Sequence, residues 1–197
     1  MQFKNNYWYF QSVLSPRFCD DVIEYGNLHK KTIGVTGGFE NKKLTKKIIK
    51  NIQKKRKSNL VWLDDAWIYK EITPYIHTAN ENAGWNFDLD GAETCQFTEY
   101  GVGEYYGWHY DMHTEYRKKI RKLSVSCTLS NPEDYDGGDL EFNISHPDKK
   151  NNLFKCTEIK PRGSVVVFPS FIWHRVKPVT RGKRYSLVIW NQGDRYR

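Results

Sequence analysis

Three side chains in the second half of the chain have the types and spacing to share one metal ion. His109 and Asp111 stand two residues apart in Trp108-His109-Tyr110-Asp111, and His174 follows in Phe171-Ile172-Trp173-His174-Arg175-Val176. Two imidazoles and one carboxylate form the facial set used by iron(II) sites, which leaves coordination positions open. A 2-oxo acid can chelate there through its carboxylate and keto oxygens, with room left for dioxygen. If that acid is 2-oxoglutarate, its far carboxylate needs a cation held at fixed distance. Arg184 offers a planar fork of donors ten residues after His174, with Ser186 and Tyr100 as further donors.

Each part of this set is weak alone. A His-x-Asp pair is common by chance, and a single histidine is more often a satisfied core or surface residue than a ligand. His109-x3-His113 also matches half of a zinc site. No Glu follows His109, however, and the pair sits in strand-like rather than helical context. The ordered set is far more specific than any member of it.

The elements that must position these residues change character along the chain. Leu14 to Gly26 reads as a helix with Ser15 as N-cap, Pro16 in its first turn and Gly26 closing it. Phe18, Val22 and Tyr25 share one face, and Tyr7-Trp8-Tyr9-Phe10 reads as a short strand before the helix. Thr32 to Glu40, with Gly34, Gly37 and Gly38, reads as a loop, and Leu44, Ile48 and Ile52 suit a lysine-rich amphipathic helix over Lys42 to Lys54. Asp65 to Asn82 is a second apolar-striped helix through Ile68, Ile72, Ile76 and Ala79, with Pro74 as a kink.

From Thr94 the period becomes two. Strands are expected over Thr94 to Tyr106, Lys122 to Ser130, Gly138 to Asn143, Gly163 to Phe168, Ile172 to Val176 and Arg184 to Trp190. Turn residues separate them: Asn131-Pro132, Asp136-Gly137-Gly138, Pro147-Asp148, Pro161-Arg162-Gly163 and Arg181-Gly182. Helices followed by a run of short strands imply a mostly β fold with flanking helices (α+β), a jelly roll braced by N-terminal helices. We expect a single domain over 1–197, with helical support in 1–90 and the jelly-roll core in 94–191.

Residues two apart on a strand share a face. His109 and Asp111 therefore face one way if the strand continues through them, while Trp108, Tyr110 and Trp173 face out. Arg184, Ser186, Val188 and Trp190 share a face, as do Gln96, Thr98 and Tyr100. In Leu123 to Leu129 the Ser/Thr face is expected to line the pocket, and the apolar face to lie beneath the helices.

The net charge of +8 belongs to one segment. Residues 42–57 hold nine Lys or Arg and no acid, so the rest of the chain carries 8 − 9 = −1. Those cations read either as a solvated charged face or as a contact surface for nucleic acid or an acidic partner. The sequence shows no long apolar run, so no membrane span is expected, and Met1 to Phe10 does not read as a secretory signal. Cys19, Cys95, Cys127 and Cys156 are widely spaced and read as reduced, buried thiols in a cytoplasmic protein.

The set Tyr100-x2-Gly103-x2-Tyr106-x2-His109-x-Asp111, then Gly137-Gly138-x-Leu140-x-Phe142, Gly163 to Pro169, His174-Arg175-Val176-x-Pro178-Val179 and Gly182-x-Arg184-Tyr185-Ser186-Leu187 resembles the prolyl 4-hydroxylase-like branch of the Fe(II)/2-oxoglutarate dioxygenases. The resemblance covers residues 96–191 and implies a double-stranded β-helix. It implies that His109, Asp111 and His174 bind iron and that Arg184 pairs with the distal carboxylate. Tyr100 becomes a pocket donor, Thr128 and Leu140 line the cosubstrate pocket, and Trp190 takes the place of an aromatic on the last strand. The implied reaction decarboxylates 2-oxoglutarate to succinate with dioxygen and hydroxylates a C–H bond, with ascorbate as a candidate reductant. Two departures narrow it. The collagen-type branch usually has Lys at Arg184, and the nucleic-acid dealkylating branch usually has a second Arg where this chain has Trp190. The substrate expected from the resemblance is a prolyl residue in a protein or peptide. A small metabolite or free amino acid, and a binding module built on the basic segment, remain as alternatives.

Overall fold

The computed structural model describes residues 4–35, 43–112, 118–146, 148 and 152–196. Gly37 and Gly38 with the rest of 36–40, and also Met1 to Phe3, Lys42, His113 and Pro147, lie outside the described residues. In chain order the strands are β1 (Trp8–Phe10), β2 (Thr32–Ile33), β3 (Arg56–Lys57), β4 (Asn59–Leu63), β5 (Gly91–Ala92), β6 (Cys95–Tyr100), β7 (Tyr105–His109) and β8 (Lys119–Thr128). They continue as β9 (Tyr135–Gly137), β10 (Leu140–Asn143), β11 (Leu153–Lys155), β12 (Val165–Pro169), β13 (Trp173–Val176), β14 (Val179–Gly182) and β15 (Arg184–Asp194). The α-helices are α1 (Pro16–Leu28), α2 (Lys46–Gln53) and α3 (Ala66–Asn82).

Two antiparallel sheets carry the site. The larger runs β1-β12-β8-β15-β6-β4-β2, with β5 paired to β15, and the smaller runs β11-β10-β13-β7-β3. A short pair, β14-β9, stands apart from both. The alternation in β8 decides which face is dry. Leu123, Val125, Cys127 and Leu129 join Cys19 and Val22 of α1 and Ile68, Ile72 and Ile76 of α3 in one apolar cluster. Ser124, Ser126 and Thr128 are thereby turned to the other face, as the pocket requires. A second cluster joins Val166 and Phe168 of the larger sheet to Leu140, Phe142 and Val176 of the smaller one. That contact clamps the two sheets together beside the histidines.

Helix α1 begins as its sequence predicts, with Ser15 Oγ accepting the Phe18 N–H at 3.1 Å. It does not end at Gly26. The helix runs on to Leu28, and Gly26 serves instead as the place where Phe97 touches the helix backbone. A Cβ there would lie 2.5 Å from the Phe97 ring. Helix α3 runs unbroken through Pro74, and α2 is shorter than expected, beginning after a Thr45 cap. The expected strand from Thr94 to Tyr106 is two strands, because the chain turns at Gly101 to Glu104 and crosses from the larger sheet to the smaller. Arg181 and Gly182, read as a turn, lie in β14 opposite Asp136 and Tyr135. All four cysteines are buried and free.

Replacing a helix-interior glycine with alanine ordinarily stabilises by up to about 1 kcal/mol. Gly26→Ala should do the opposite and lower stability by about 1–3 kcal/mol, because the new methyl overlaps a packed ring. Urea denaturation measures it, and an unchanged or raised midpoint would refute the packing described for Phe97.

Candidate metal centre and cosubstrate pocket

Strand pairing places the first two candidate ligands face to face. His109, the last residue of β7, is registered opposite His174 on β13. Asp111 arrives differently. The strand stops before it, and its backbone N–H donates to the Ser170 carbonyl at 2.8 Å. The condition that one strand continue through both residues is thus not met, and a backbone tether from the loop after β12 replaces it. The three side chains still converge, with their ligand atoms within 4.8 Å of one another. His109 Nε2 lies 3.6 Å from Asp111 Oδ1, and His174 Nε2 lies 3.4 Å from Asp111 Oδ2.

Both imidazoles are oriented by the backbone. His109 Nδ1 lies 2.8 Å from the Gly107 carbonyl, and His174 Nδ1 lies 2.9 Å from the Ile172 carbonyl. A carbonyl only accepts, so each Nδ1 carries a hydrogen and Nε2 is the nitrogen left to ligate a metal. Phe168 holds the His174 ring edge-on at 4.8 Å, and Tyr106 stacks on His109 at 3.5 Å. Asp111 Oδ2 accepts from Ser124 Oγ at 2.8 Å, which fixes the carboxylate.

Burial and the neighbouring His174 push the His109 imidazole well below its ordinary pKa, so it is neutral. Burial would by itself raise the Asp111 carboxyl, but His174 and His109 hold it well below the ordinary carboxylate range. Two imidazoles that present Nε2 to one carboxylate, with no thiolate in the group, form a donor set that fits iron(II).

The remaining predicted residues line the space between the sheets. Across β8, β15 and β6 the register aligns Thr128, Ser186 and Thr98, and the next step pairs Arg184 with Tyr100. Arg184 is 2% exposed. Its Nη1 donates to Ser186 Oγ at 3.2 Å, and its guanidinium stands 5.7 Å from the Tyr100 ring centre. No carboxylate pairs with it among the described residues. Gly138, at φ +62°, lets the Arg184 stem pass, since a Cβ there would lie 2.8 Å from Arg184 Cδ. Leu140 is buried in the second apolar cluster, opposite Val176 on β13. Trp190 is registered opposite Ser124, beside the triad, with Arg121 stacked on it at 3.9 Å and Trp62 at 6.1 Å. Trp108 and Trp173 face outward as predicted, against Arg175 and Tyr110 respectively.

Four residues near the site carry parts that their sequence context did not suggest. Ser124 lies on the pocket face that its alternation predicts, and its bond to Asp111 is a further role that the alternation does not show. Ser170 tethers Asp111 through its backbone. Tyr106 stacks on His109, and Arg56 lies over Tyr106 at 4.5 Å. Arg56 belongs to the basic segment yet is 4% exposed, donating to Ser58 Oγ at 2.8 Å and Gln96 Oε1 at 3.4 Å. Nothing in a run of lysines distinguishes it. A shallow cavity of about 620 Å³ beside α3, lined by Asp64, Ala66, Tyr69, Lys70, Thr73 and Pro74, includes no triad residue.

Residues 95–192 match the model of a family described as the 2OG-Fe(II) oxygenase superfamily. The chain belongs to that superfamily. Among its relatives, a PKHD-type hydroxylase of Hyphomonas neptunium is 41% identical over 96 residues, which is 47% of this chain and 39% of the relative. The chain thus spans less than half the length of the curated relatives it matches. Among solved structures, the viral collagen prolyl hydroxylase of Paramecium Bursaria Chlorella virus-1, in its 2OG complex, aligns with a TM-score of 0.67 at 21% identity. That alignment covers 96% of this chain and 97% of the viral one. A Trichoplax adhaerens prolyl hydroxylase in complex with a hypoxia inducible factor peptide fragment aligns with a TM-score of 0.64 at 17% identity, covering 95% and 84%. These likenesses show the double-stranded β-helix fold.

His174→Ala should abolish tight binding of Mn(II), used as a stable substitute for iron, in calorimetric titration. Ser124→Ala should keep the site but weaken it about tenfold, because it frees the carboxylate to rotate. Wild-type affinity in both variants would contradict a metal held by this group.

Proposed function

We propose that this chain is a dioxygenase that couples decarboxylation of 2-oxoglutarate to succinate with hydroxylation of a C–H bond, in a prolyl residue of a protein or peptide. The carrying observation is the convergence of two histidines and one carboxylate between the same sheets as a buried guanidinium, Arg184, that has no acid partner among the described residues. In this reading His109, Asp111 and His174 hold Fe(II) through two Nε2 atoms and the carboxylate. Arg184 and Ser186 receive the distal carboxylate of 2-oxoglutarate, with Tyr100 as a further donor, while Thr128, Leu140 and Trp190 shape the walls. Bound iron would supply the activation of dioxygen. The protein's own part is to orient both imidazoles, fix the carboxylate through Ser124 and keep a dry, positively charged end for the cosubstrate. The whole chain then acts as one oxygenase domain, with 1–90 bracing the barrel.

The prolyl substrate is supported by the names of the PKHD-type and prolyl hydroxylase relatives, and by the peptide bound to the Trichoplax protein. Purified protein supplied with Fe(II), 2-oxoglutarate and ascorbate as reductant should release succinate. Proline-containing peptides that serve as substrates should gain one oxygen atom in mass. Arg184→Met should raise the 2-oxoglutarate concentration needed for half-maximal rate by about 10–100-fold, the effect of losing a charged hydrogen-bond partner. No succinate under any of these conditions would end the oxygenase reading, and succinate without peptide oxidation would move the substrate elsewhere.

A further inference from the structure

Helix α2 presents cations that the described chain does not neutralise. Lys43, Lys46, Lys47, Lys50, Lys54 and Lys55 are exposed and Lys57 is half-buried. None of the seven makes an ion pair among the described residues. Elsewhere basic side chains find acids: Lys31 with Glu99 at 2.6 Å, Lys119 with Asp90 at 2.7 Å, Lys155 with Asp139 at 2.8 Å and Arg175 with Glu141 at 2.6 Å. Like charges four apart on a helix repel by a few tenths of a kcal/mol per pair, so the row Lys46, Lys50, Lys54 works against the helix that displays it. That helix is nevertheless built. Thr45 Oγ1 caps it by accepting the Ile48 N–H at 3.3 Å, and Ile52, 1% exposed, anchors it.

The segment is also fastened to the strand that ends in His109. Tyr105 Oη donates to the Gln53 carbonyl at 2.8 Å, and Gly107 N–H donates to the Lys55 carbonyl at 2.7 Å. Arg56 is registered opposite Tyr106. The lysine row therefore has a fixed position beside the pocket. Successive lysines of the row step along the axis by roughly 6 Å, which gives a line of point charges.

We propose that this face, Lys43 to Lys57, docks the phosphate backbone of a double-helical nucleic acid next to the pocket. Phosphate contacts need cations alone and read no bases. Unpaired strands are usually held on aromatic platforms, and α2 has no aromatic side chain. An acidic protein partner would want an apolar centre to the interface, where the described residues of this face offer Leu44, 42% exposed, and the half-buried Ile48 and Ile49 beneath the lysine row. The docking requires neither iron nor 2-oxoglutarate, so it stands or falls apart from the oxygenase chemistry.

Fluorescence anisotropy of the full chain with labelled DNA and RNA duplexes, across a series of salt concentrations with and without EDTA, tests it. Binding should weaken linearly in log–log form, and the Lys46→Gln, Lys50→Gln, Lys54→Gln triple variant should flatten the slope by about three. The same variant should lose about tenfold or more in affinity at moderate salt. The corresponding Lys→Arg triple should retain binding, and EDTA should change nothing. Comparing the two duplexes identifies the preferred helix. A control triple, Lys30→Gln, Lys70→Gln and Lys160→Gln, should leave the slope near that of the unaltered chain. The proposal is overturned by absence of binding at low salt, by an equal effect of the control triple, or by tighter binding of single strands or poly-glutamate.

Discussion

Two opposite charges buried between the same two sheets, and kept from pairing with each other, set the terms for the rest of this molecule. Asp111 lies at the histidine end of the barrel and Arg184 at another place on the inner face, and each is less than a tenth exposed. A buried ion without a partner costs several kcal/mol, so each must be answered by something. For Asp111 the answer within the chain is two imidazoles and the Ser124 hydroxyl. For Arg184, among the described residues, it is a serine hydroxyl and the face of a tyrosine. A dication at one end and a dicarboxylate spanning toward the other would satisfy both. The polar inner face of β8, the glycine at 138 and the apolar brace of α1 and α3 on the outside serve that arrangement.

The brace explains why the inner face can be polar at all. In most half-buried strands the apolar side faces the core and hydroxyls face water. Here α1 and α3 supply the dry side, so Leu123, Val125, Cys127 and Leu129 have somewhere to go without filling the barrel. The close approach of Gly26 to Phe97 is part of the same contact, since Phe97 projects from β6 into that layer.

Much of this was legible from residue types and spacing. The period-two pattern of Leu123 to Leu129 showed two chemically distinct faces, and the residues of Arg184 to Trp190 fell on the faces expected. Ser15 and Pro16 announced the start of α1. What failed has specific causes. Strands β2 and β3 are two residues long, too short to show any period. The split between β6 and β7 was hidden because Tyr100, Val102 and Tyr105 keep the run apolar across the turn. Gly26 looked like a helix stop because a glycine's contact with a distant ring leaves no trace in local sequence. Arg56 was hidden among lysines, and its burial depends on Ser58, Gln96 and Tyr106, which only the sheet pairing brings to it.

In the proposed function the triad and Arg184 hold one metal and one dicarboxylate together. Anaerobic titration of the Fe(II)-loaded protein with 2-oxoglutarate, followed by visible absorption, addresses it most directly. Chelation by the 2-oxo acid should produce a charge-transfer band that saturates at one equivalent in the unaltered chain. His174→Ala should show no band, and Arg184→Met should need far more 2-oxoglutarate to reach the same intensity. An unaltered protein that binds iron but develops no band, or an Arg184→Met variant that titrates identically, would contradict the account.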